Sequence, residues 1–223
     1  MWSPLLGALL ISLVPPPGEL PVLARDVRPD GRIDSAEWAG AREVHAEGMR
    51  VRLGRRGDVL AVAVELDGPG ICSLVLAAGD RAWVVHASAA LGTGEYRCAG
   101  DGACTRTREF DFRCRDPSSS PAAEACRKEF RSAEGWIGSV SPSGTRSREF
   151  LVDLGRFGAG EAPLSLLVTG LVLPDKAGRW AGRERRRRLG EAAAGVPRGT
   201  NAVQPRELVA DPALSRPPAL SAS

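Results

Sequence analysis

The residues of this chain with the most defined chemistry are five cysteines, Cys72, Cys98, Cys104, Cys114 and Cys126. Cys98 and Cys104 flank an Asp-Gly turn, so a hairpin brings them within disulfide reach, and Cys114 with Cys126 is placed to tie a strand end to the helix that follows. That pairing leaves Cys72 free, and we expect it buried. Zinc is the alternative for such a set, but the spacings lack the paired C-x-x-C hooks of structural zinc modules.

Catalytic arrangements are poorly supported. His86 and Ser88 lie two apart on one strand and share a face, and Glu95 or Asp111 would be needed to complete a triad. The serine lacks the G-x-S-x-G elbow that exposes a nucleophile. Carboxylate pairs for glycoside hydrolysis can be drawn from Glu65, Asp67, Asp111 and Asp116, but acids are so common here that such pairs carry little information. Asp30, Asp34 and Glu37 offer three oxygen ligands to Ca2+ without the alternation of a dedicated calcium loop. No catalytic residue, cofactor or metal is assigned on these grounds.

The elements that must position these groups read mostly as strands. Met49, Val51 and Leu53 alternate with Arg50 and Arg52, which predicts a strand with one buried face. Val59 to Leu66 follows as a more fully buried strand, and Gly68-Pro69-Gly70 is expected to end it. Further strands are expected over Ile71 to Ala77, Ala82 to Ser88, Thr105 to Arg113, Arg148 to Leu154 and Leu164 to Leu173. One short helix interrupts them, with Ser120 as cap, Pro121 at the first position and Gly135 past the end. Its buried face is expected to carry Ala122, Cys126, Phe130 and Ala133. Short strands at this spacing predict an all-β, antiparallel β-sandwich, of jelly-roll or immunoglobulin-like type.

Leu5 to Val14 has the length of a signal-peptide hydrophobic region and Val22-Leu23-Ala24 supplies a peptidase site, so residues 1–24 are read as a leader. The remaining chain is expected to be secreted or periplasmic, with no transmembrane segment. Cysteines confined to the exported part agree with an oxidising compartment. The 223 residues, 43% hydrophobic and 26% charged, are enough for one globular core and exclude a large multidomain enzyme. Residues 25–175 form the expected domain. Residues 176–223 carry a net charge of +6, with the run Arg183-Glu184-Arg185-Arg186-Arg187-Arg188, and read as a disordered tail able to touch anionic surfaces. No aromatic residues interleave these arginines, which argues against nucleic acid as a partner.

Asp30-Gly31-Arg32-Ile33-Asp34-Ser35-Ala36-Glu37-Trp38, followed by the strand pair Met49 to Leu53 and Val59 to Leu66, resembles the start of the family 9 carbohydrate-binding-module-like and DOMON-like sandwiches. In this segment Asp30-Gly31 makes a tight turn, Asp34 caps a helical turn, Glu37 returns a hydrogen bond and Trp38 is buried. His86 to Gly92, Tyr96, Phe112 to Asp116 and Glu134-Gly135-Trp136 also resemble bacterial exported proteins of unknown function.

The family 9 side of the likeness implies sugar binding, for which Trp83, Trp136 and Trp180 are the available ring faces. Trp83 and Trp136, with His86, are the candidate ligand residues. The only amide side chains are Asn201 and Gln204 in the tail, so hydroxyl recognition would fall to Arg, Asp, Glu and backbone groups. The DOMON side implies haem, with Met49, His45, His86, Lys128 and Lys176 as possible axial ligands. The expected function is an exported, non-catalytic binding or interaction module for a glycan or cell-envelope component. An accessory or hydrolytic domain of polysaccharide metabolism and a haem-bearing electron-transfer domain are the alternatives.

Overall fold

The structure is a computed structural model that describes residues 6–9, 20–46, 48–100, 103–141, 145–158 and 164–172. The expected tail, with Trp180 and Lys176, lies outside the described residues. The described chain is mostly antiparallel β-sheet with one α-helix. Its strands are β1 (Leu6–Leu9), β2 (Arg42–Ala46), β3 (Met49–Arg56), β4 (Val59–Ala78), β5 (Arg81–Ala87), β6 (Leu91–Cys98), β7 (Cys104–Arg108), β8 (Trp136–Gly138), β9 (Thr145–Asp153) and β10 (Ser165–Val172), and helix α1 spans Pro121–Glu134.

These strands form one open hydrogen-bonded sheet in which β4 belongs to two wings. Its first half pairs with β3 and β9, which in turn pair with β2 and β8. Its second half pairs with β10 and β5, continuing to β1 on one side and to β6 and β7 on the other. The expected break at Gly68-Pro69-Gly70 is instead a bend within one long strand, with a register shift between Glu65 and Gly70 where β4 meets β9. A proline has no N–H to give a ladder, so it is accommodated at the irregularity rather than ending the strand.

The alternating apolar residues of both halves face a common core. Leu60, Val62 and Val64 from one wing share it with Leu74, Leu76 and Val85 from the other. Across the wings, the Trp136 indole N–H donates to Thr93 Oγ1 at 2.8 Å. On the opposite face of the second wing, Val75, Val84, Tyr96 and Leu167 form a smaller cluster. The expected long strand Thr105 to Arg113 stops at Arg108, because the chain then crosses this outer face. There Phe110 and Phe112 stack 5.5 Å apart over β6, in the space left by Gly94 and Gly92. A Cβ at Gly94 would stand 2.7 Å from the Phe110 ring.

Helix α1 follows its capping signals. Ser120 Oγ accepts the Ala123 N–H at 3.2 Å, and Gly135 adopts the left-handed conformation with φ of 73°. Its buried face differs from the expected one: Ala123 and Phe130 are buried and Cys126 is half-buried, whereas Ala122 and Ala133 are exposed. Phe130 meets Trp136 edge to face at 5.2 Å, which seats the helix beside β8 at the sheet edge.

Packing extends N-terminally past the expected domain start. Leu20 and Leu23 are buried, and the Leu23 side chain fills the space over Gly54. Leu23 N–H donates to Arg55 O at 2.9 Å and Arg55 N–H to Pro21 O at 2.8 Å.

Candidate functional site

A carboxylate holds the N-terminal segment against the sheet. Glu149 on β9 is fully buried; its Oε1 accepts the Trp38 indole N–H at 3.0 Å and its Oε2 the Gly31 N–H at 2.9 Å. Ser147 Oγ adds a donation to Gly31 O at 2.6 Å. Burial pushes the Glu149 carboxyl up to about 7 despite these two donors, and nearby Asp30 and Glu37 push the same way. The motif residues behave locally as expected at three positions. Asp30 Oδ1 accepts the Arg32 N–H beside a left-handed Gly31, Asp34 Oδ1 accepts the Ala36 N–H, and Trp38 is buried. Glu37 departs from the expected capping return, accepting instead the Arg28 N–H at 3.3 Å. With each acid used in its own turn, Asp30, Asp34 and Glu37 do not converge, and no group of metal-ligating side chains forms among the described residues.

The segment so anchored forms one wall of a groove of about 720 Å³. Val27, Arg28 and Pro29 face Arg127, Lys128 and Arg131 of α1, and Ile137 and Leu151 contribute an apolar floor. Arg156 and Asp153 close one end. Five cations and one carboxylate therefore line this groove. Arg127 donates to the carbonyls of Asp116 and Ser118, and Arg156 to those of Ser132 and Ala133. Asp153 Oδ1 accepts the Gly155 N–H. Among the described residues no ion pair involves any of the five cations, whereas Arg50 and Arg52 pair with Glu43, and Arg108 and Arg113 with Glu134.

Two devices fix the helical wall. The Cys114–Cys126 disulfide ties α1 to the preceding loop, and Glu134 at its end accepts from Arg108 at 2.6 Å and from Arg113 at 2.6 Å. Burial raises the Glu134 carboxyl, but hydrogen bonds from Arg108 and Thr93 and the charges of Arg108 and Arg113 outweigh it, leaving the group below the usual carboxylate range. Thr93 also receives the Trp136 indole N–H, so this network continues into the core.

The second disulfide, Cys98–Cys104, joins directly paired residues of β6 and β7, and Cys72 is free and buried, all as the spacing indicated. Burial pushes the Cys72 thiol up to about 12.

The two tryptophans offered to a glycan are core residues. Trp136 is fully buried, between Phe130 and Phe150, and Trp83 is 6% exposed, with Phe157 at its edge and the Arg81 guanidinium 4.8 Å from its ring centroid. Neither presents an open face for a pyranose to stack on. His86 is buried beneath Phe112, and its Nδ1 lies 2.8 Å from Ser73 Oγ. Burial drives its pKa down to about 4, so the ring is neutral. Glu95 faces Arg81 and Arg108, and Asp111 faces Arg113, so neither acid completes a triad with it.

The described residues named for haem do not converge on a site for it. Met49 is packed in the main core beside Gly170 and Leu66, while His86 points to the opposite face of the sheet. His45 is exposed and bonded to Glu43, and Lys128 lies on α1 in the groove. These side chains do not surround a common space.

Sequence reasoning missed Glu149 and the groove. A Glu in a run of strand residues carries no mark of its distant partners Gly31 and Trp38. The groove left one trace, since Arg127 and Arg131 are four apart and share a helix face with Lys128 beside them. No protein-family model, curated protein or solved structure matches this chain. No described helix is long and apolar enough to cross a membrane.

Proposed function

We propose that the protein is an exported, non-catalytic binding module that engages a glycan of the cell envelope in the groove between α1 and the Val27 to Pro29 segment. One observation carries this reading: a groove of about 720 Å³, a volume in the range of ligand sites, is lined by five cations and one carboxylate, and none of the five is in an ion pair among the described residues. Its walls are held by a disulfide on one side and by the Glu149 carboxylate on the other, so the site is preorganised and little ordering cost attends binding. The two disulfides are compatible with an oxidising, extracytoplasmic setting. In this reading the two wings sharing β4 act as the layers of a β-sandwich of the family 9 and DOMON-like type. The Arg-rich tail adds a further contact to anionic surfaces.

A glycan array probed with the full chain tests this directly, alongside a Lys128→Ala/Arg131→Ala variant whose fold is checked by circular dichroism. The reading expects a set of bound glycans whose signal falls in the variant. No bound glycan, or binding indifferent to both substitutions, sinks it.

A further inference from the structure

We infer that the groove between α1 and the Val27 to Pro29 segment selects a linear anionic polysaccharide and passes over neutral glycans. The inference rests on the glycan-binding reading above and names the substrate class for that site.

A neutral sugar is held by aromatic stacking on its apolar face and by amides and acids on its hydroxyls. The groove offers no aromatic side chain, its lining has no Asn or Gln, and its one carboxylate, Asp153, already accepts the Gly155 N–H. What it does offer is charge. Arg28, Lys128 and Arg131 are exposed and free of ion pairs, and Arg127 and Arg156 donate their hydrogen bonds to backbone carbonyls. Guanidinium groups fit oxyanions in a planar, two-bond geometry, and several along one open channel fit a chain that repeats its charge. Arg127 and Arg131 lie one helical turn apart, about 6 Å along the axis, so successive cations face successive positions of an extended polymer.

The other polyanions fit less well. Single-stranded nucleic acid is bound by aromatic platforms interleaved with cations, and this groove has none. An anionic membrane surface favours protruding apolar side chains beside the cations. Here the apolar residues are a recessed floor, and among the described residues the one exposed large hydrophobic is Val22, outside the groove. The anionic group itself, uronate carboxylate or sulfate ester, shares the same oxyanion chemistry.

The test uses the full chain and three polymers, measured by biolayer interferometry: dextran, dextran sulfate and polygalacturonate. Dextran should give no binding and at least one charged polymer should bind, their ratio separating sulfate from carboxylate. The Lys128→Glu/Arg131→Glu variant should lose at least about tenfold in affinity, and removing two cations should flatten the dependence of log affinity on log salt by roughly two. Arg28→Glu tests the opposite wall, and neither it nor the helix pair removes a hydrogen bond that holds the fold. Thermal melts of each variant confirm folding.

Dextran bound as well as dextran sulfate overturns the charge selection while leaving the glycan-binding groove in place. Tighter binding of single-stranded DNA or phosphatidylglycerol vesicles through these same residues overturns the polysaccharide assignment. Failure of every polymer, together with an empty glycan array, removes the binding-module reading as well.

Discussion

The Trp38 indole N–H meets Glu149 Oε1 at 3.0 Å across 111 positions of sequence, and both residues are buried. The same carboxylate takes the Gly31 N–H, so one side chain fixes the turn and the tryptophan of the N-terminal segment to β9. Since Val27, Arg28 and Pro29 of that segment wall the groove, Glu149 is a positioning residue for a site it does not line.

Stability should therefore report on Glu149. Burial raises its pKa to about 7, above the 4.5 of an exposed glutamate, so the folded state holds the proton more tightly than the unfolded state. Between these two values the unfolded chain has ionised and the folded chain has not. Rising pH across this window costs stability, on the order of 3 kcal/mol by pH 8. Glu149→Gln removes this slope. It also sets an amide N–H against a backbone donor, adding a cost independent of pH. Urea denaturation of both forms from pH 4 to 8 should give curves that converge as pH rises. Parallel curves would show that Glu149 titrates normally.

A second prediction concerns Glu134, which pairs with both Arg108 and Arg113 at the end of α1. Its side chain is largely buried, but Arg108 and Arg113 are part exposed and keep Glu95 and Asp111 as partners, so losing Glu134 costs about 1 to 2 kcal/mol. Glu134→Ala should lower the melting temperature by a few degrees. Truncating the exposed Glu129 should change it little, as expected of a surface site. Equal effects at the two positions would mean that the Arg108 and Arg113 contacts contribute nothing to folding.

The contrast between these two acids shows what was legible in the sequence. Strand periodicity marked Met49 to Leu53 and Val59 to Leu66, and the Ser120, Pro121 and Gly135 signals placed α1 to the residue, because both are local rules. The pairing of Cys98 with Cys104 was legible from a turn. By contrast, Gly68-Pro69-Gly70 looked like a stop, and only the need of β4 to serve two wings turns it into a bend. Trp83 and Trp136 looked like ring faces for a ligand, yet their exposure depends on what packs on them: Phe157, far along the chain, on Trp83, and Phe130 and Phe150, brought in by helix α1 and strand β9, on Trp136. The groove was hidden for a related reason: helical spacing links Arg127 with Arg131, but nothing in the sequence brings Arg28 and Arg156 to the same place.

Thiol chemistry offers an independent check on the core. Cys72 is buried with its pKa raised to about 12, so its thiolate is scarce and inaccessible at neutral pH. Without denaturant, a maleimide reagent should label essentially none of the protein, and in urea it should add one label per chain. Peptide mapping without reduction should recover Cys98 joined to Cys104 and Cys114 joined to Cys126. Rapid labelling of the native protein would show that Cys72 is open to solvent, and any disulfide through Cys72 would overturn the pairing.

The last prediction concerns where the folded unit starts. A leader cut after Ala24 would remove Leu20 and Leu23, whose side chains are in the core, and would leave Gly54 uncovered where Leu23 now packs. It would also take away the two backbone bonds that Pro21 and Leu23 make with Arg55. Loss of each buried leucine costs about 2 to 5 kcal/mol when the site cannot collapse. A chain beginning at Leu20 should therefore be more stable than one beginning at Arg25 by several kcal/mol, measured by chemical denaturation. N-terminal sequencing of the protein purified from the cells that make it should then find these residues retained. Equal stability of the two forms would show that the Leu23 contact is dispensable, and the boundary at Arg25 would stand.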